Sequence, residues 1–202
     1  GFAESLAAVL AGNGFDVVRP ERDCPTPLIA YAVVDRGLSG ALMVTASHNP
    51  PEYNGVKFIP SDGAPALPEV TDAIAARLAE PDPLPESEHG TVETVDLVTP
   101  HADRATELID ADLSGVTVVH DAMHGSGRGV VDDLLRSAGA EVVSIRDDRD
   151  PAFGGTPPAP STETLPPLVD AVDAHDAELG VATDGDADRV PVPTPARAPL
   201  LN

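Results

Sequence analysis

Cysteine is almost missing from this sequence: Cys24 is the only one in 202 residues. No disulfide and no cysteine-built metal site can form within the chain, and a reducing cytosol fits that usage. Cys24 itself reads as a small loop or core residue. Tryptophan is absent and aromatic residues make up only 3%. A core must therefore be assembled from the Val, Leu, Ile and Ala that dominate the 42% hydrophobic content, which is too high for a disordered polymer. Lysine is reduced to Lys57, and the other eleven of the 12 basic residues are Arg. No apolar run is long enough to span a bilayer, and no basic segment precedes an apolar one at the N-terminus, so neither an anchor nor a signal peptide is legible. A cytoplasmic protein is the expectation.

What is plentiful is negative charge. Thirty-four acids face 12 bases, for a net charge of −22. Such a charge repels nucleic acid and anionic membrane, and both are discounted as partners. The acids are scattered along the chain and not gathered in a tail, as on a strongly acidic solvated surface. This Lys-poor, acidic balance reads as that of a halophile, because concentrated salt screens the self-repulsion. Both ends read as those of a fragment. The chain opens at Gly1-Phe2, without Met, directly into a helical pattern. It closes in PVPTPARAPLLN, with four prolines between Pro191 and Pro199, which excludes a helix or a central strand there.

Between the ends the pattern alternates. Helices are expected over Phe2–Leu10, from Thr26-Pro27 through Val34, over Pro68–Leu78, Asp103–Ile109 and Val130–Ala138, and over Thr162–His175. Strands are expected over Phe15–Val18, Gly40–Thr45 (apolar enough to be buried on both faces), Gly55–Ile59, Val116–His120, Glu141–Ile145 and Leu179–Ala182. PDPLPESEHG, residues 81–90, reads as a linker or surface connection. The alternation stops there and restarts near residue 116. The fold class is thus α/β, with mostly parallel sheets and two units. In such sheets ligands bind at the carboxyl ends of strands, where the loops 45–55 and 183–189 are expected to lie.

The first of these loops holds Ser47, His48 and, ten residues on, Lys57. A serine hydroxyl is a poor nucleophile without help. As a phosphate carrier it needs a cation for the phosphoryl oxygens and a group to handle the proton, and His48 and Lys57 are candidates for both. A point ammonium also shifts its pKa more readily than a guanidinium. Taken alone, SHNPP is equally an ordinary turn. The whole string TASHNPPEYNGVKF, residues 45–58, however, resembles the active-site serine loop of the α-D-phosphohexomutases. These include phosphoglucomutase, phosphomannomutase and phosphoglucosamine mutase. The match runs through Ser47, His48, Asn49, Pro50, Tyr53, Asn54, Gly55 and Lys57. The resemblance implies that Ser47 carries the phosphoryl group.

The second loop reads DGDADR. Asp184, Asp186 and Asp188 repel one another unless a cation lies between them, and Gly185 lets the backbone turn tightly. Hard oxygen ligands suit Mg²⁺, and Arg189 could hold a phosphate as a bidentate fork. A solvated acidic loop is the bland alternative in so acidic a chain. An EF-hand is excluded, because its sixth position would be Arg189 instead of Gly and its twelfth Pro195 instead of Glu. DGDADR also resembles the metal loop of the same mutases. That resemblance implies Mg²⁺ on Asp184, Asp186, Asp188 and the phosphate on Ser47, with Arg189 orienting the phosphoserine. HDAMHGSGRG, residues 120–129, reads as a tight turn between strand and helix, and its two histidines are not taken as ligands.

The resemblance implies two consecutive three-layer α/β domains with mixed, mostly parallel sheets. Domain I would cover residues 1–95, incomplete at its start, and domain II residues 96–202, with an irregular end. The strand that follows DGDADR in the family is expected to be lost to proline-rich sequence. Together with the acidic balance, the resemblance points to a haloarchaeal source. The activity implied is Mg²⁺-dependent interconversion of hexose 1- and 6-phosphates through a phosphoserine and a 1,6-bisphosphate. The catalytic set is Ser47, His48, Lys57 and Arg189, and the partner is a phosphorylated hexose. Which hexose is not legible, and the sequence sets no oligomeric state. Two alternatives stand beside this: a truncated, non-catalytic remnant that binds Mg²⁺ or phosphosugar, and an aspartyl-phosphate phosphotransferase using Asp184. The charge carries its own prediction. The melting temperature of the chain, followed by circular dichroism, should rise as KCl is raised from dilute buffer to molar concentration. A melting temperature that is flat or falls with salt would contradict the halophilic reading.

Overall fold

The alternating strands and helices fold, in a computed structural model that describes residues 1–194 and 197–200, into two units with separate sheets. Residues 1–23, 29–44 and 56–97 form one unit, and residues 24–28, 45–55 and those from 98 onward form the other. Among the described residues no helix is long and apolar enough to cross a membrane.

In the first unit, α1 (Phe2–Gly12) leads into β1 (Val17–Pro20). β1 pairs in parallel with β4 (Val92–Val95), with Val17 opposite Val92. The sequence pattern did not announce β4. VETV is short and three of its four residues are exposed, so it has no burial signature of its own. Asp16 creates it from a distance: its Oδ1 accepts from the Thr91 backbone N–H at 2.9 Å and the Thr91 hydroxyl at 2.8 Å. Between these elements run α2 (Thr26–Asp35), whose first turn belongs to the second unit, then β2 (Gly40–Val44), β3 (Val56–Pro60) and α3 (Pro68–Ala75). β2 and β3 pair antiparallel, with Met43 opposite Lys57. β2 is not buried on both faces as expected. Leu42 is exposed and its neighbours are half-buried, because a two-stranded ribbon leaves one face open. Residues 81–90 are a surface connection with a single 3-10 turn over Glu86–Glu88.

The second unit is built on consecutive strand–helix–strand crossovers. After α4 (Val98–Ile109) come β5 (Thr117–Asp121), α5 (Val130–Ser137), β6 (Glu141–Ile145), α6 (Pro166–Ala174) and β7 (Leu179–Ala182). The three strands form a parallel sheet in the order β6-β5-β7. Helix α6 starts four residues later than expected, because Pro166 and Pro167 occupy its first turn, where a missing N–H costs nothing. The core of the unit joins Val119, Met123, Leu165, Leu168, Val172, Ala177 and Ala182. The proline-rich tail does not escape regular structure. β8 (Val192–Thr194) and β9 (Arg197–Leu200) form an antiparallel pair, so a strand does follow the aspartate loop. Both are edge strands of a two-stranded sheet, where proline is tolerated. Residues 195, 196, 201 and 202 of that tail lie outside the described residues.

β5 is buried along four of its five residues, including His120 and Asp121. Each polar side chain there is answered. Arg146 donates through Nε to Asp121 Oδ1 at 2.9 Å and grips the second oxygen with its terminal nitrogen. His120 Nδ1 lies 2.9 Å from Asp132 Oδ1. Burial alone would raise the Asp132 carboxyl, but His120, the Ser144 hydroxyl and the Gly129 N–H hold it well below the usual carboxylate range. Leu168 is fully buried, whereas Leu78 is 82% exposed. Leu168→Ala should therefore cost about 2–5 kcal/mol in urea unfolding, and Leu78→Ala less than about 0.5 kcal/mol.

Candidate active site and metal centre

Ser47 stands where β2 gives way to loop. Its backbone is left-handed, with φ 55, which costs a non-glycine residue on the order of 1 kcal/mol. Local bonds hold it there. Its N–H donates to Thr45 Oγ1 at 2.8 Å, and the loop is closed by the Thr45 N–H on the Gly55 carbonyl at 3.0 Å. The result is a half-buried serine whose hydroxyl reaches two neighbours. His48 Nδ1 lies 3.3 Å from Ser47 Oγ, and an Arg189 terminal nitrogen lies 3.5 Å from the same oxygen. That arginine nitrogen is also 2.6 Å from His48 Nδ1. A guanidinium can only donate, so Nδ1 accepts, and in the neutral ring the proton sits on Nε2. The arrangement places a permanent cation beside a hydroxyl and leaves the imidazole nitrogen facing both.

The aspartate loop continues from β7. Asp184 and Asp186 are buried and Asp188 is exposed. One carboxylate oxygen from each lies within 4.8 Å of the others. Asp184 Oδ1 accepts from the backbone N–H groups of Asp188 at 3.0 Å and Arg189 at 3.3 Å, which wraps the loop around it. Its Oδ2 is buried without a hydrogen-bond partner, with Arg189 Nε at 3.6 Å. Asp186 Oδ2 is oriented by the Thr26 hydroxyl at 2.8 Å and the Thr45 hydroxyl at 3.2 Å. Burial, then the charges of Asp186 and Asp188, push the Asp184 carboxyl up to about 6. Three convergent hard oxygen donors and an orphaned buried carboxylate oxygen fit a small divalent cation such as Mg²⁺.

Glycine matters here for proximity and not for torsion. A Cβ on Gly185 would lie 2.5 Å from the Ser47 carbonyl oxygen, so only glycine lets the two loops meet. The left-handed residue of the turn is instead Ala187, with φ 53. The turn after β5 closes on the same loop from another side. Ser126 N–H donates to the Gly185 carbonyl at 2.9 Å, and a Cβ on Gly125 would lie 2.8 Å from the Asp184 carbonyl oxygen.

Six of the seven residues singled out from sequence thus belong to one unit, and the described contacts bring together Ser47, His48, Asp184, Asp186, Asp188 and Arg189. The seventh, Lys57, lies half-buried in β3 of the other unit, opposite Met43. Sequence reasoning missed Thr26 and Thr45. Thr45 had a signal, since it opens the serine motif. Thr26 had none, because a Thr-Pro helix start says nothing about a carboxylate far along the chain. His120 pairs with Asp132, and His124 Nδ1 lies 3.0 Å from Asp148.

Comparison with known proteins identifies the family. Residues 1–84 match the family model for phosphoglucomutase/phosphomannomutase alpha/beta/alpha domain I, and residues 95–196 match that for domain II. A probable phosphoglucosamine mutase of Methanopyrus kandleri is 39% identical over 189 residues, covering 91% of this chain and 42% of the relative. A phosphoglucomutase/phosphomannomutase of Thermococcus kodakarensis is 33% identical over 192 residues, covering 92% of this chain and 42% of that relative. Among solved structures, a putative phosphomannomutase from Thermus thermophilus superposes with a TM-score of 0.83 at 34% identity, over 96% of this chain and 46% of that one. The chain thus spans less than half the length of these relatives. On both consecutive family models and on these relatives, it belongs to the α-D-phosphohexomutase family, that of the phosphoglucomutases and phosphomannomutases.

Proposed function

We propose that this chain holds the phosphoryl carrier and metal loop of a Mg²⁺-dependent phosphohexomutase, which interconverts hexose 1- and 6-phosphates. The observation that carries the reading is the meeting of Arg189 with Ser47 Oγ and His48 at the rim of the aspartate cluster. Ser47, as its phosphate ester, transfers the phosphoryl group to a free hydroxyl of a hexose monophosphate. The bond from Ser47 Oγ to phosphorus breaks as that from the sugar oxygen forms. The resulting 1,6-bisphosphate turns around and returns its other phosphoryl group to Ser47. Arg189 holds phosphoryl oxygens as a fixed cation, and His48 and Lys57 position groups and manage the hydroxyl proton. Asp184, Asp186 and Asp188 would hold Mg²⁺, whose charge, when bound, stabilises the transferring group. The left-handed backbone of Ser47 supports a functional reading, since strain of this kind persists where the surroundings over-determine it.

The aspartyl-phosphate alternative fits the geometry less well. Asp184 is fully buried and already engages two backbone N–H groups, whereas Ser47 is half-buried in a loop. We further propose that the domain boundary falls near residue 95, and that the chain by itself turns over little or no hexose phosphate in a coupled mutase assay.

Labelling with radioactive glucose 1,6-bisphosphate tests the carrier. The label should resist hydroxylamine and disappear in Ser47→Ala. A hydroxylamine-labile label that persists in Ser47→Ala would assign the carrier to a carboxylate instead. A second measurement concerns Asp184. With its carboxyl raised to about 6, the metal-free folded state binds more protons there than the unfolded chain between roughly pH 4 and 6. Stability from this group is therefore present at acidic pH and is lost as pH rises through about 6. Relative to wild type, Asp184→Asn should melt higher at pH 8 in EDTA, with the gap narrowing below about pH 6 and closing near pH 4. Saturating Mg²⁺ should raise the wild-type melting temperature at pH 8 and leave the variant nearly unmoved.

A further inference from the structure

The aspartate loop begins one residue after β7, at Thr183, which is 1% exposed. Thr183 is held twice. Its N–H donates to the Asp121 carbonyl at 3.0 Å, extending the ladder with β5. Its hydroxyl faces His120 Nε2 at 3.5 Å. On another side a Cβ on Gly127 would lie 2.7 Å from the same oxygen, so the glycine-rich turn closes over it. His120 is fully buried and cannot drift, because Nδ1 is tied to Asp132 at 2.9 Å. Asp132 is fixed in turn by the Ser144 hydroxyl at 2.5 Å and by the Gly129 N–H at 2.8 Å. An anionic acceptor on Nδ1 puts the ring proton there and leaves Nε2 of the neutral ring to accept from the Thr183 O–H.

Carboxylate, imidazole and hydroxyl stand in the order of a nucleophile chain. Nucleophilic chemistry is excluded by access, since His120 and Thr183 are both sealed from solvent. What the chain of bonds can do is fix a torsion. A β-branched side chain is stiff at χ1, so its hydroxyl, held by His120, ties the residue just before Asp184 to the buried His120–Asp132 pair. From this geometry we infer that His120, anchored by Asp132, is a positioning residue for the metal loop, acting through the Thr183 hydroxyl. The inference rests on the proposed metal site and names residues outside it. It follows the general pattern in which groups behind the ligands set affinity by fixing ligand orientation.

The test is Mn²⁺ binding to the full chain, followed by electron paramagnetic resonance, with thermal melting as a parallel readout. Thr183→Val keeps the shape and removes the hydroxyl. It should weaken Mn²⁺ binding about tenfold, while Thr183→Ser, which keeps the hydroxyl, stays within about twofold of wild type. In a His120→Gln background, Thr183→Val should cause little further loss, as coupled residues do. Should His120→Gln fail to fold, the Val and Ser variants decide alone. Wild-type affinity in Thr183→Val, with or without a lowered melting temperature, overturns the inference and leaves the metal site standing. Absence of saturable Mn²⁺ binding in wild type, or binding that Asp184→Asn does not weaken, overturns the metal site and the inference with it.

Discussion

Three carboxylates brought within 4.8 Å of one another repel, and in the second unit the surrounding groups answer that repulsion. Two backbone N–H groups turn inward to Asp184, two threonine hydroxyls converge on Asp186, and Arg189 lies beside Asp184 and Asp188. They do not neutralise the cluster. One buried oxygen of Asp184 keeps no hydrogen bond, and its carboxyl is pushed up toward neutrality. A site left in deficit of positive charge is suited to a divalent cation.

That arrangement depends on close backbone approach. Gly185 meets the Ser47 carbonyl, and Gly125 meets the Asp184 carbonyl, at distances that leave no space for a methyl group. The glycines that look like turn punctuation in the sequence are thus contact surfaces. The same closeness lets Arg189 serve two purposes, countering the aspartates while reaching the serine hydroxyl. Behind the loop, buried polar pairs on β5 keep the strand ends in register, and each has its hydrogen bonds met.

Much of the architecture was readable in advance, where burial follows local pattern. β6 and β7 fall where apolar runs bounded by turn residues place them, and α5 ends at Ser137, one residue short of the expected Ala138. The readings that failed were those set by which strands pair, and not by a strand's own residues. β4 is a strand because β1 and Asp16 make it one, and its own four residues are mostly solvated. β2 is half-exposed because its hydrogen-bonded partner is a single antiparallel strand. The tail forms β8 and β9 despite its prolines, because each needs only one hydrogen-bonded edge.

The sequence by itself determined the chemical inventory: a serine beside a histidine, three aspartates at alternate positions and an arginine after them. Those identities follow from the reactivity that each group brings, which is local to the residue. Only the tertiary structure decided which of them meet. It placed Arg189 on Ser47 and His48, assigned Thr26 and Thr45 to Asp186, put Lys57 in the other unit and set His120 behind Thr183. Distances between loops far apart along the chain depend on how strands pair and how closely backbones pack, and no local pattern encodes them.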